Sequence, residues 1–79
     1  MIPCEGRIVC LFNEYISLTA MVAEYHEEDG REEFIFEVTK VEKKRYSDKY
    51  EVGSKVPDRR RRGSETLESG LTMTFCDDR

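Results

Sequence analysis

The sequence contains one run of four consecutive arginines: Arg59, Arg60, Arg61 and Arg62. Each guanidinium group presents several N–H donors in a planar fork that matches the oxygens of a phosphate or a carboxylate. The charge of the group does not titrate in the physiological pH range. The run is therefore a candidate site for an anionic partner, either the backbone of a nucleic acid or the carboxylates of a protein.

A second basic stretch precedes the run and includes two tyrosines. Its candidate partner-binding or anion-binding residues are Lys43, Lys44, Arg45, Tyr46, Lys49 and Tyr50. Aromatic rings between basic groups can stack on unpaired bases while the cations contact phosphates. We expect these six residues and the four arginines to form the binding site. The competing interpretation is an exposed basic loop that only keeps the domain in solution, with its tyrosines packed on the core.

Positive charge is concentrated in one part of the chain. All five lysines and five of the eight arginines fall within residues 40–62, although the net charge of the 79-residue chain is −4. The rest of the chain holds thirteen acidic residues against three basic ones. Such a molecule is a basic zone on an acidic body, which attracts anions on one side and cations on the other.

The charge distribution favours a protein partner over a nucleic acid. The acidic body would repel a polyanion unless the basic zone lay on one side, whereas a protein can complement both signs. We expect a small non-catalytic protein-binding module, a regulator or inhibitor that acts through its two-signed surface. The alternative is a nucleic-acid-binding small β-barrel that uses residues 40–62. A homodimer formed by attraction between acidic and basic parts of two copies is a further expectation.

The residues that catalysis or metal binding would need do not occur in a recognisable pattern. The single histidine, His26, lies among acidic residues, and no serine elbow or glycine-rich phosphate loop is present. Cys4, Cys10 and Cys76 could join His26 as zinc ligands, but no pair of them has knuckle spacing. We expect no enzyme activity, no cofactor and no metal, with Cys10 and Cys76 as ordinary buried thiols.

The expected location is cytoplasmic. An odd number of cysteines without a disulfide framework fits a reducing compartment. No apolar stretch approaches the roughly 18 residues that span a bilayer, so no membrane contact is expected. The N-terminus shows no secretory signal.

An Asp-Gly pair gives the clearest indication of secondary structure in the sequence. Asp29 and Gly30 lie between two apolar-rich segments, the strongest short-range signal for a hairpin with a two-residue turn. Such a turn fixes the register of two strands, and it pairs residue 28 with 31, 25 with 34, 24 with 35, 23 with 36, 21 with 38, 19 with 40 and 18 with 41. Residues 21, 23 and 25 would then share one apolar face with residues 34, 36 and 38. The alternative is a helix over residues 13–28, capped by Asn13.

Further strands are expected over residues 7–12, buried on both sides or nearly so, and over residues 71–76, where apolar and polar residues alternate. Residues 50–56 predict a turn followed by a brief strand. Four or five short strands in one small chain predict a mainly β, single-domain antiparallel barrel or rolled sheet over residues 1–79. If the helix forms, the fold is α+β.

The segment 50–56, with its Val-Gly-Ser-Lys-Val sequence, resembles the strand entries of oligonucleotide-binding and SH3-like barrels. The resemblance implies an OB-like or SH3-like barrel.

The segment 57–69 has only Leu67 as a large apolar residue, so we expect it to be a mobile basic loop. Within it, Ser64 follows two arginines at a spacing that basophilic kinases favour.

Overall fold

A computed structural model describes residues 4–45 and 49–76 of the chain. These residues form five antiparallel strands in one sheet and no helix. The strands are β1 (Ile8–Phe12), β2 (Ser17–Glu28), β3 (Arg31–Lys43), β4 (Lys55–Arg61) and β5 (Thr72–Phe75). Their order across the sheet is β4, β3, β2, β1, β5. The mainly β prediction is confirmed, and the alternative helix over residues 13–28 is wrong.

The Asp29–Gly30 turn joins β2 to β3 as predicted. Both residues have positive φ, 55° for Asp29 and 78° for Gly30, which a short aspartate and a glycine tolerate. The predicted register holds near the turn, where Glu28 lies opposite Arg31 and Tyr25 lies opposite Phe34. This turn therefore decides the pairing of the two longest strands.

The predicted register is wrong in the middle of the hairpin. Phe36 lies opposite Val22 instead of Ala23, because the register shifts between Val22 and Glu24. Val38 likewise lies opposite Ala20 instead of Met21. A second shift, between Thr19 and Ala20, restores the predicted pairs of Thr19 with Lys40 and Leu18 with Val41.

These shifts decide which side chains of β2 are buried. Side chains alternate along a strand, so one extra residue moves the following ones to the other face. Leu18, Ala20 and Val22 are buried, in place of the predicted residues 21 and 23. Because one residue is inserted after Val22, Tyr25 still packs against the same core as that valine.

The core lies on one face of the sheet. It is built by alternate residues of all five strands and by side chains of the connections: Val9, Leu11, Ile16, Leu18, Ala20, Val22, Phe34, Phe36, Val38, Tyr50, Val56, Leu67, Leu71 and Met73. The sheet is open, with β4 and β5 as its edges. Closure into a barrel is therefore not shown.

A disulfide bond connects Cys10 of β1 with Cys76, the residue that follows β5. Cys10 lies opposite Thr74, and the Cα atoms of the two cysteines are 6.0 Å apart. The prediction of two free core thiols was wrong because spacing along the chain gave no sign of this strand pairing. Cys4 is a free, half-buried thiol.

Among the residues described, no helix is long and apolar enough to cross a membrane.

Candidate functional site

The arginine run belongs mainly to a strand. Strand β4 extends through Arg61 and pairs with β3, so the predicted loop 57–69 is wrong over residues 57–61. Arg60 lies opposite Glu32 and Arg59 lies opposite Glu33. We expected a loop because the segment has little to bury, but here the backbone ladder and the facing carboxylates support the strand.

Arg60 is held by several partners at once. Its Nε donates to Glu32 Oε1 at 2.6 Å, and its Nη1 donates to the carbonyl oxygen of Ser64 at 2.8 Å. The side chains of Arg60 and Glu32 are only 15% and 13% exposed. The guanidinium also lies 5.5 Å from the ring centroid of Phe34, within range of a cation–π contact. Arg60 is therefore held within the folded structure by a carboxylate, a carbonyl oxygen and an aromatic ring.

Glu32 accepts a second hydrogen bond at its other oxygen. Tyr25 donates its hydroxyl to Glu32 Oε2 at 2.7 Å. Burial alone would raise the pKa of Glu32, but the hydrogen bonds from Tyr25 and Arg60 outweigh it and lower the pKa below its usual range. Burial and the hydrogen bond to Glu32 both raise the pKa of Tyr25. Near neutral pH the cluster thus combines an ionised carboxylate, a guanidinium and a protonated phenol.

Arg59 pairs with carboxylates on the exposed side of the sheet. Its Nε donates to Glu68 Oε1 at 3.0 Å, and its Nη1 lies 3.5 Å from Glu33 Oε2. Arg31 also pairs with Glu68. The hydrogen bond from Arg59 lowers the pKa of Glu68, and the same bond raises the pKa of Arg59.

The last two arginines of the run differ from each other. Arg62 pairs with Glu27, with 2.7 Å between Nη1 and Oε2. Arg61 is exposed, lies opposite Arg31, and has no ion pair within residues 4–45 and 49–76. Three of the four arginines are thus already neutralised by glutamates of their own chain. We call residues 59–62, together with their paired glutamates and the β2–β3 turn, the arginine end of the sheet.

The lysine-rich candidate residues lie at the other end of β3. We define the lysine end as residues 40–45 and 49–51, at the end of β3 and in the connection towards β4. Its cations are Lys40, Lys43, Lys44, Arg45 and Lys49, and its described carboxylates are Glu42 and Glu51. Lys40 pairs with Glu42 at 3.4 Å and Lys44 pairs with Glu51 at 3.1 Å. Over residues 40–51 of the sequence, which include Asp48, there are five cations and three carboxylates.

The structure describes only one of the two tyrosines that were predicted to stack on bases. Tyr46 lies outside the described residues. Tyr50 is only 4% exposed and belongs to the core, so its ring does not form part of a binding surface. Burial raises the pKa of its hydroxyl. The competing interpretation, tyrosine packed on the core, is the one that fits Tyr50.

Two partly exposed aromatic residues were not among the predicted site residues. Phe12, at the end of β1, and Tyr15, in the β1–β2 turn, are 37% and 42% exposed. Asn13 Oδ1 accepts hydrogen bonds from the backbone N–H groups of Tyr15 and Ile16, at 2.7 and 2.9 Å. This side chain, read above as a helix cap, instead fixes a tight β1–β2 turn. The short polar linker between two strands was the signal that could have identified the turn.

Strand pairing places the end of β1 at the same end of the sheet as the lysine end. Phe12 lies opposite Ser17, and Ser17 lies opposite Lys43 on the next strand. Ser17 Oγ also donates to Glu42 Oε1 at 3.4 Å. Phe12 of β1 and Lys43 of β3 are therefore separated by one residue of β2.

The zinc set considered above is not available, because the sulfur atoms of Cys10 and Cys76 are bonded to each other. In the part of the chain that the structure describes, no cluster of three or more His, Cys, Asp or Glu residues is arranged to hold a metal ion.

No family model matches the chain, and neither a curated protein nor a solved structure shows similarity to it.

Proposed function

We propose that the chain is a small non-catalytic protein-binding module that binds an acidic protein surface through its lysine end. One observation carries this proposal. Three of the four arginines expected to bind a partner are paired with glutamates of the same chain, whereas residues 40–51 contain five cations and three carboxylates. Lys43 in that segment is exposed and has no ion pair among residues 4–45 and 49–76, so an anion could contact it without displacing a carboxylate.

The exposed aromatic residues support a protein as the partner. Interfaces between proteins combine aromatic anchors with surrounding charges, and the anchors contribute most of the binding energy. Phe12 and Tyr15 would be the anchors, and the nearby lysines would steer the partner by long-range attraction. The turn fixed by Asn13 holds the backbone of Tyr15 in place, which lowers the entropy lost on binding.

The two alternatives lose part of their support. Nucleic acid binding by the basic block 40–62 relied on stacking by Tyr46, which lies outside the described residues, and by Tyr50, which is buried. It also relied on arginines that are mostly paired with glutamates. Self-association through opposite charges relied on glutamates and arginines that neutralise each other within one chain. Both alternatives remain outcomes of the binding experiment below.

The finer description of the fold is also a proposal. We propose that the open sheet is rolled, with the β4–β5 connection spanning the gap between its edges. Glu68 N donates to Arg59 O on β4, at 2.7 Å. Met73 N on β5 donates to Glu65 O, at 2.9 Å. One segment thus contacts both edge strands.

Two matched charge reversals test the proposed surface. Lys43→Glu and Arg61→Glu each reverse one exposed cation that has no ion pair among the described residues. We expect Lys43→Glu to weaken binding of a hexaglutamate peptide by about fivefold or more at low salt. Arg61→Glu should change the same affinity by less than about twofold. Equal losses in the two variants would contradict the proposal.

A second probe separates the classes of partner. Short single- and double-stranded oligonucleotides are titrated under the same conditions, at about 50 and 150 mM salt. Binding of an oligonucleotide without binding of the peptide would replace the proposal with nucleic acid recognition. Light scattering of the free protein in the same buffers would reveal self-association.

A further inference from the structure

The C-terminal strand β5 is attached to the sheet along few contacts. It has four residues, and it pairs along one side with residues Val9 to Phe12 of β1. On its other side, the described contacts are one hydrogen bond from Met73 to Glu65 and a bridge between Thr72 and Thr66. A short edge strand of this kind is the element most prone to local opening.

The core depends on this weakly paired strand. Met73 is buried, and so are Leu71 just before the strand and Leu67 in the connection that leads to it. Leu67 and Leu71 are also joined by a backbone hydrogen bond of 2.8 Å. Detachment of β5 would therefore uncover one side of the core.

The Cys10–Cys76 disulfide links β1 to the residue that follows the last residue of β5. Cys76 N donates to Ile8 O at 3.0 Å, so the residue continues the ladder past Phe75. The bond connects residues that are 66 positions apart. A crosslink over such a long segment strongly restricts the freedom of the opened chain, in the chain-entropy account.

A reductant can approach the disulfide, whereas the third cysteine, Cys4, is a poor nucleophile for attack on it. Cys76 is exposed and Cys10 is half-buried. Burial raises the pKa of the Cys4 thiol, and Glu32 raises it further. Near neutral pH Cys4 is therefore mostly protonated, which disfavours its attack on the disulfide.

We propose that the Cys10–Cys76 disulfide is a redox-controlled clip on β5. A dithiol reductant transfers two electrons to the bond, and the S–S bond breaks. The two sulfur atoms gain two protons and become thiols, while the dithiol is oxidised to a disulfide. β5 then separates from β1 far more often. The intact clip is expected in an oxidising compartment, in contrast with the cytoplasmic location expected from the cysteine count. This inference does not rest on the proposed function.

Hydrogen exchange of the full chain tests the clip. The oxidised protein is compared with protein reduced by dithiothreitol, and alkylation followed by mass measurement confirms one free thiol before reduction and three after it. Cys76 N bonds to Ile8 O, so the even-numbered residues of β1 direct their N–H groups towards β5. We expect amide exchange at Thr72, Thr74 and Cys76, and at Cys10 and Phe12 of β1, to accelerate by about tenfold or more on reduction. Exchange in the β2–β3 hairpin near Asp29 should change far less.

Variants provide the controls. Cys4→Ser should leave the exchange of both redox forms unchanged. The double variant Cys10→Ser with Cys76→Ser should reproduce the reduced pattern without any reductant. Unchanged exchange in β5 after complete reduction would overturn the proposal. Equal acceleration in every strand would also overturn it, because it would show global unfolding instead of a local clip. Three alkylatable thiols in protein prepared without reductant would remove its basis.

Discussion

The two basic regions of this molecule, which the sequence places close together, lie at opposite ends of strand β3 and have different surroundings. At the arginine end, glutamates of β2, β3 and the β4–β5 connection pair with Arg59, Arg60 and Arg62. At the lysine end, residues 40–51 contain five cations and three carboxylates. The difference shows that a cluster of charge in a sequence can be paired within the fold by carboxylates of a neighbouring strand.

The difference arises from strand pairing. The hairpin turn at Asp29 and Gly30 places acidic residues on both β2 and β3, and β4 then brings its arginines beside them. The opposite end of β3 lies next to the start of β2, where Ser17, Leu18 and Thr19 carry no charge. Cross-strand carboxylates therefore pair with the arginines at one end of β3, whereas the start of β2 offers no carboxylate to the lysine end.

Replacement of Glu32 should have the largest effect on the arginine end. Glu32→Gln leaves Arg60 half-buried without a carboxylate partner, which we expect to lower the free energy of unfolding by about 2–3 kcal/mol. The matched control is Glu33→Gln, one residue away, whose exposed carboxylate should contribute less than about 0.5 kcal/mol. Urea unfolding of both variants measures the difference. Similar losses would show that burial does not distinguish the two pairs.

The pH dependence of stability should identify the same carboxylate. The pKa of Glu32 is lowered in the folded state, so its stabilising contribution is present above the pKa of the unfolded chain. That contribution is lost as the pH falls below the ordinary glutamate pKa, about 4.3, and through the lowered pKa of the folded state. Between pH 6 and about pH 3, the wild-type chain should lose more stability than Glu32→Gln. Parallel curves for the two proteins would contradict the assignment.

The exposed Arg62–Glu27 pair should have the smallest effect. Arg62→Gln is expected to lower the free energy of unfolding by no more than about 0.5 kcal/mol at low salt, because exposed pairs are weak. The effect should vanish at about 0.5 M salt, where exposed charges are screened. Thermal unfolding at two salt concentrations measures it. A large, salt-independent loss of unfolding free energy would contradict this and would show that Arg62, like Arg60, stabilises the fold.

The sequence was sufficient for the features that depend on local residue types. Asp29 with Gly30 predicted the hairpin and its register near the turn, because few residue pairs allow two positive φ angles in succession. The alternation over residues 71–76 predicted β5 for a similar reason, since one apolar face requires every second residue.

The features that were missed depend on residues far apart in the chain. The shift after Val22 and the bond between Cys10 and Cys76 follow from how whole strands fit together. Residues 57–61 were predicted as a loop because their own residue types give no sign of a strand. The glutamates that face them in the sheet lie more than twenty positions earlier in the chain. Phe12 was expected in a strand nearly buried on both sides, but its side chain is 37% exposed.

The most direct test of the difference between the two ends of β3 maps where an anion contacts the folded protein. Amide chemical shifts of the isotope-labelled chain are recorded during titration with hexaglutamate at about 50 mM salt. We predict shifts in residues 40–45, at Lys49 and in the turn that contains Tyr15, with little change at Arg59, Arg60 and Arg62. Shifts centred on those arginines, with the lysine end unaffected, would contradict the claim that their own chain has already neutralised them.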